Sequence, residues 1–67
     1  MSATPNPVVT VRLELETERA LALAQFVKRV GWSELCENAV DDEEAYRMRD
    51  ALGALARALA ESGFAPR

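Results

Sequence analysis

A run of four adjacent carboxylates at residues 41–44, DDEE, is the densest group of chemically active side chains in this sequence of 67 residues. Glu34 and Glu37 precede the run, so residues 34–44 hold six acids and no base. Carboxylates can cap a helix, bind a cation, transfer protons or attract a basic partner. The spacing of a calcium loop and its glycine are missing, and the run starts a helical pattern instead of lining a pocket. Capping and partner binding are therefore the two roles that remain.

Capping explains part of the acidic run. Asp41 and Glu44 have the spacing of a capping box, and acids in a first helical turn each stabilise a helix by about 0.3–1 kcal/mol. Six acids exceed this need, and a basic partner would relieve their mutual repulsion. We therefore predict a surface that binds a basic protein, with a capped and solvated helix end as the alternative. The predicted partner-binding residues are Glu34, Glu37, Asp41, Asp42, Glu43 and Glu44.

Other chemically active groups give little support for catalysis. The sequence has no histidine, and Cys36 is its only cysteine, so this thiol has neither an activating base nor a second thiolate. Glycine-rich phosphate loops and nucleophile motifs are absent from the sequence. We predict a protein that is not an enzyme, with no catalytic residue, no metal and no other cofactor. Cys36 is expected to act as a small buried hydrophobe.

Two patterns of large and small residues concern packing. Trp32 and Tyr46 are large enough to anchor an interface, although a tryptophan after Gly31 is more typical of the edge of a core. Gly53 lies inside a helical pattern, where glycine costs about 1 kcal/mol relative to alanine. With Ala56 and Ala60 it forms a stripe of small residues, which predicts close helix packing.

Composition indicates one small globular domain. The sequence is 49% hydrophobic and 28% charged, and its net charge of −3 argues against general binding of nucleic acids. Residues 1–7 are polar and proline-containing, without the features of a signal peptide, and no run approaches the ~18 apolar residues of a membrane span. We predict a flexible lead at residues 1–7, a single domain at residues 8–67, no membrane contact and a cytoplasmic location.

The start of that domain has the pattern of a strand. In residues 8–16, VVTVRLELE, apolar and polar side chains alternate, as in a half-buried strand. Because this is the only such segment, we predict that it pairs with its copy across a two-fold axis in a homodimer. The alternative is an extended arm laid over the helices. The predicted residues of the dimer strand are Val9, Val11, Leu13 and Leu15.

Helical patterns follow the strand. We predict a first helix that is capped by Thr17, runs to Val30 and is stopped by Gly31. A short helix over residues 33–40 and a long helix that begins at Asp41 follow. Gly63 has the position of a C′ glycine, and residues 64 and 66, phenylalanine and proline, complete the stop. The predicted fold class is α+β and mostly helical, with the element order β-α-α-α.

The first half of the chain, VTVRLELETERALALAQFVKRVGWSEL, resembles the opening of ribbon-helix-helix repressors. The resemblance implies a dimeric ribbon whose outward residues, here Thr10 and Arg12, enter the major groove of DNA. Glu14 shares that outward face with a charge that phosphates repel, and an acidic third helix follows. A dimeric transcriptional regulator that binds DNA is therefore the alternative function.

The segments LALAQFVKRVGW, AVDDEEAYRMRDAL and LAESGFAPR resemble a family of small uncharacterised proteins from proteobacterial genomes and mobile elements. Small acidic phage proteins of that setting include inhibitors of host defence, such as anti-CRISPR proteins, which block basic nucleic-acid grooves. We predict a non-enzymatic acidic module that binds the basic surface of a host protein or nucleoprotein complex. The most specific form of this prediction is an inhibitor, encoded by a phage or mobile element, of a bacterial defence complex.

Overall fold

The computed structural model describes residues 8–64, which contain three helices and no strand. These helices are α1 (Thr17–Arg29), α2 (Trp32–Asn38) and α3 (Asp42–Glu61). The predicted flexible lead at residues 1–7 and the proline at residue 66 lie outside the described residues.

The predicted strand is wrong. Residues 8–16 have no strand conformation, and within the described part of the chain no backbone hydrogen bond joins residues 8–15 to another segment. A ladder needs a second strand, and the described part of the chain offers none. The fold is therefore three helices preceded by an extended arm, residues 8–16, and not β-α-α-α with a strand paired between two chains.

The three predicted helices are confirmed, with small shifts at their ends. In α1 the N-cap is Glu16, one residue before the predicted Thr17, and no side chain caps the helix. Glu18 in the first turn and Lys28 and Arg29 in the last turn complement the helix dipole. The short helix α2 starts at Trp32 and ends at Asn38. Because a helix this short is not stable alone in water, α2 depends on its contact with α3.

A glycine-based stop ends α3, as predicted. Gly63 has φ of 95°, and its N–H donates to the Ala60 carbonyl at 3.0 Å. The N–H of Phe64 donates to the Leu59 carbonyl at 2.8 Å, which completes the Schellman pattern. Phe64 also packs against the core, so the end of α3 is fixed by both hydrogen bonds and burial.

The core lies between α1 and α3 and is made mainly of alanine. Ala20 and Ala24 from α1 pack with Leu59 from α3, and Ala45 is the other buried residue. Both α1 and α2 contact α3, and the described parts of α1 and α2 do not contact each other. Since three of the four residues that are buried within residues 8–64 are alanines, the core buries little apolar surface, a weakness for a domain of this size.

None of the helices within residues 8–64 has both the length and the apolar character that a membrane span requires. The longest, α3, has twenty residues, but charged side chains occur along its length.

Replacement by alanine should have opposite effects on stability at Gly53, inside α3, and at Gly63, in the stop that ends it. A Cβ added to Gly53 would meet no atom within 4 Å, so Gly53→Ala should raise the free energy of unfolding by about 0.5–1 kcal/mol through helix propensity. Gly63→Ala should lower it, because φ of 95° is strained for alanine. Urea denaturation of both variants measures the changes.

The Gly53→Ala variant also tests the close helix packing predicted for the stripe of small residues. Gly53 and Ala60 are exposed, and nothing among the described residues packs on Gly53, so the close helix packing predicted there is wrong within this chain. A loss of stability in Gly53→Ala would contradict this description.

Candidate protein-binding surface

The start of α3 uses two of the six predicted acids as a cap. Asp41 is the N-cap, and its Oδ1 accepts a hydrogen bond from the Glu44 N–H at 2.9 Å. The Glu44 side chain reaches back past the cap, and its Oε1 accepts from the Val40 N–H at 2.8 Å. One N–H of the first turn and one N–H just before the cap are thus satisfied. These two carboxylates are engaged by backbone groups of their own chain.

A third acid has the corresponding role in α2. The Glu34 carboxylate accepts a hydrogen bond from the N–H of Gly31, the N-cap of α2. Glu34 also lies in the first turn of this helix, where the dipole favours a negative charge. Half of the predicted partner-binding set therefore accepts backbone hydrogen bonds at helix entries.

Of the six predicted partner-binding acids, Glu37, Asp42 and Glu43 are the three that cap no helix, and we call them the acidic surface. All three residues are exposed. Glu43 forms an exposed ion pair with Arg47, with 3.5 Å between Oε1 and Nη2, which contributes little in water. Within the described part of the chain, Glu37 and Asp42 have no hydrogen bond or ion pair to another side chain. Asp42 and Glu43 lie in the first turn of α3, where the helix dipole favours acids, but neither side chain caps a backbone N–H. The acidic surface is therefore the part of the run for which folding gives the least explanation.

An aromatic pair lies beside the start of α3. The rings of Trp32 and Tyr46 have centroids 4.8 Å apart and planes at 40°. The guanidinium carbon of Arg49 lies 5.0 Å from the centre of the Tyr46 ring, within the range of a cation–π contact. Trp32 is 42% exposed and Tyr46 is 49% exposed. Trp32 thus packs at the edge of the fold, as predicted, and still presents much of its surface to solvent.

Helical spacing connects the aromatic pair to two members of the acidic surface, Asp42 and Glu43. Asp42 and Glu43 precede Tyr46 by four and three residues, so all three side chains emerge on neighbouring positions of α3. Asp50 follows Tyr46 by four residues on the same side and pairs with Arg49 at 3.3 Å. The result is an exposed aromatic centre with carboxylates around it.

A separate apolar groove runs between the extended arm and α3. Its volume is about 670 Å³. The arm lines it with the four residues predicted for the dimer strand, and α3 and its stop provide most of the rest of the lining. The residues that line the groove from these two segments are Val9, Val11, Leu13, Leu15, Ala51, Ala54, Leu55, Ala58, Leu59, Ser62 and Phe64. The period-two pattern thus identified the side chains that share one face, although it gave the wrong backbone structure.

The predicted DNA-facing residues lie on the arm outside this groove. Thr10 and Arg12 are exposed, and Nη2 of Arg12 lies 3.3 Å from Oε2 of Glu14. No ribbon supports them, because residues 8–16 form no strand. DNA binding through these residues stays a prediction.

The described residues show no arrangement suited to a metal or a nucleophile. Within residues 8–64, no three His, Cys, Asp or Glu side chains are close enough together to hold an ion, so the acidic surface is spread out. Cys36 is a free, half-buried thiol. The chemistry that the arrangement supports is recognition by charge and aromatic contact.

Sequence reasoning missed two features of these surfaces. One is Arg49 over the Tyr46 ring, and the signal was the i, i+3 spacing of an aromatic and a basic residue on a helix. The other is the side of the groove formed by Ala51, Ala54 and Ala58, which also have the spacing of one helix face. Because alanine is common in helices, the second pattern did not stand out from the sequence alone.

A model of a protein family described as a family of unknown function (DUF7706) matches residues 1–67, and the chain belongs to that family. This confirms the expected membership of an uncharacterised family, while an origin in proteobacteria or mobile elements stays a prediction. No curated protein and no solved structure matches the chain.

Proposed function

We propose that this member of the DUF7706 family is a non-enzymatic module that binds a basic protein surface through its acidic surface and its aromatic pair. The observation that carries the proposal is the exposure of Trp32 and Tyr46 beside acids that cap no helix. Tryptophan and tyrosine are the residues most enriched among those that dominate binding energy. A rim of carboxylates adds selectivity for a basic partner.

The partner that fits best presents arginine side chains. A guanidinium group can stack on an exposed indole or phenol ring and pair with a carboxylate at the same time. Arg49 makes such a contact with Tyr46 within the chain, and Asp42 and Glu43 emerge one helical turn away. The sharper prediction, an inhibitor that fills the basic nucleic-acid groove of a host defence complex, is consistent with this surface chemistry.

A capture experiment tests the proposal. Asp42→Asn with Glu43→Gln removes two charges from the acidic surface and leaves the Asp41 cap intact. The control, Glu18→Gln with Glu61→Gln, removes the same charge from the start of α1 and the end of α3. Each chain is immobilised and exposed to a lysate of the cells that encode it, and the retained proteins are quantified.

The wild-type chain and the control should retain the same basic protein, and the acidic-surface variant should retain several-fold less of it. Thermal midpoints should differ little, because the two changes cost about 1 kcal/mol or less. Equal retention by all three chains would contradict the proposal and leave Asp42 and Glu43 as solvated first-turn acids.

A further inference from the structure

We infer that the apolar groove between the extended arm and α3 is the contact surface for a second copy of this chain. The inference concerns a part of the molecule distinct from the acidic surface, and it stands independently of the proposed function. It depends on side-chain packing in the groove and requires no strand pairing.

The groove is apolar and unfilled. Its lining includes no charged residue, and Ser62 provides its only polar side chain. On the arm, Val9 is 78% exposed, Val11 80% and Leu13 57%. On α3, Ala51 and Ala58 are exposed as well. The two sides of the groove therefore face each other without a third layer of side chains between them.

The groove could supply a substantial part of the surface that a stable dimer buries. A fully exposed valine or leucine side chain presents on the order of 100 Å² of apolar surface, so the arm and the α3 face together present several hundred Å². A continuous apolar patch of several hundred Å² is as large as the largest patch on a typical monomer, which often has a function, and it would make up a part of the roughly 800 Å² that each partner contributes to a standard interface. The core between α1 and α3 is mostly alanine, and the groove would supply the apolar burial that it lacks.

The chain itself has the shape that the groove requires. The arm is a ridge of apolar side chains at every second residue, and the exposed alanines of α3 leave room beside it. The apolar side chains of the arm and the exposed alanines of α3 belong to one continuous surface. Two copies related by a two-fold axis can therefore each place their arm over the alanines of the other. An isologous interface needs this self-complementary arrangement. Small side chains also allow two α3 helices to approach closely.

Charge supports a second copy over a basic partner at this site. The groove presents no carboxylate that would attract lysine or arginine, and the acidic surface lies near the opposite end of α3. Two chains of net charge −3 can meet here while their acids remain in solvent. The dimer would present two acidic surfaces, one from each copy.

Sedimentation equilibrium across micromolar concentrations tests this inference. Wild-type protein should reach twice the 7.4 kDa mass of the chain. Ala54→Glu places a carboxylate in the groove at an exposed helical position, so it should leave the helices intact and raise the dissociation constant at least about tenfold. The matched control is Ala60→Glu, on the exposed opposite face of the same helix, which should remain dimeric.

A second variant guards against an effect of Ala54→Glu on folding. Val11→Asp changes an 80% exposed residue of the arm outside every helix, so its circular dichroism should equal that of the wild type while its dimer dissociates. A wild-type chain that stays monomeric would overturn the inference. A dimer that persists in both Ala54→Glu and Val11→Asp would also overturn it. The same holds if the Ala60→Glu control dissociates as much as these two variants.

Discussion

Replacing Leu59 with alanine should lower the free energy of unfolding by about 2–5 kcal/mol. Leu59 is the largest of the buried residues at 8% exposure, and it packs against Ala20 and Ala24. These alanines have no rotatable side chain that could fill the space left by the missing isobutyl group. A domain of this length has a total stability of about 3–10 kcal/mol, so the variant should be largely unfolded at moderate temperature.

Leu21→Ala is the matched control. Leu21 lies on α1 and is 45% exposed, so the same truncation there should cost about 1 kcal/mol or less. Urea denaturation followed by circular dichroism gives both changes. Similar losses in the two variants would mean that Leu59 is not the centre of the core.

Removal of the Tyr46 ring should weaken partner binding by about 2 kcal/mol, or roughly thirty-fold. Tyr46 provides half of the exposed aromatic pair and contacts Arg49, so Tyr46→Ala removes both a stacking surface and the support of Trp32. Calorimetry with the protein captured by the wild-type chain measures the change in affinity.

Two controls separate binding from folding in that experiment. Tyr46→Phe keeps the ring, so it should retain most of the affinity. Phe26→Ala removes another exposed aromatic residue, 57% exposed on α1, and should leave the affinity unchanged. Affinity that is unaffected by Tyr46→Ala would remove the aromatic pair from the binding surface.

The helices could be predicted because their signals are local. Asp41 and Glu44 have capping-box spacing, and Gly63 follows the last apolar position of a 3.6-residue period; both features determine ends of α3 in the structure. Such rules depend only on residues within one or two turns. They need no knowledge of the rest of the fold.

The arm could not be predicted in the same way. Alternation in residues 8–16 correctly grouped Val11 and Leu13 on one face, but a strand also requires a partner at hydrogen-bonding distance. That requirement is a property of the whole fold. A period of two therefore indicates an extended chain and leaves the ladder undetermined.

The candidate site could be predicted only in part. The acidic run was evident from sequence, but its division into capping and non-capping members depended on which backbone N–H each carboxylate reaches. Glu34 and Glu44 are one residue type in one run, and each accepts a backbone hydrogen bond, whereas Glu37 does not. The contact between Trp32 and Tyr46 joins two helices, so no local rule could reveal it.

We propose that the acids without a capping role attract a basic partner. The most direct test is the association rate of the captured partner at low and high ionic strength, measured for wild type and for Asp42→Lys with Glu43→Lys. Glu18→Lys with Glu61→Lys is the control of equal charge. We expect reversal at residues 42 and 43 to slow association at least about tenfold at low salt, with a much smaller difference at high salt, because screening removes long-range steering. Association rates that match those of the control at both salt concentrations would mean that Asp42 and Glu43 do not attract the partner.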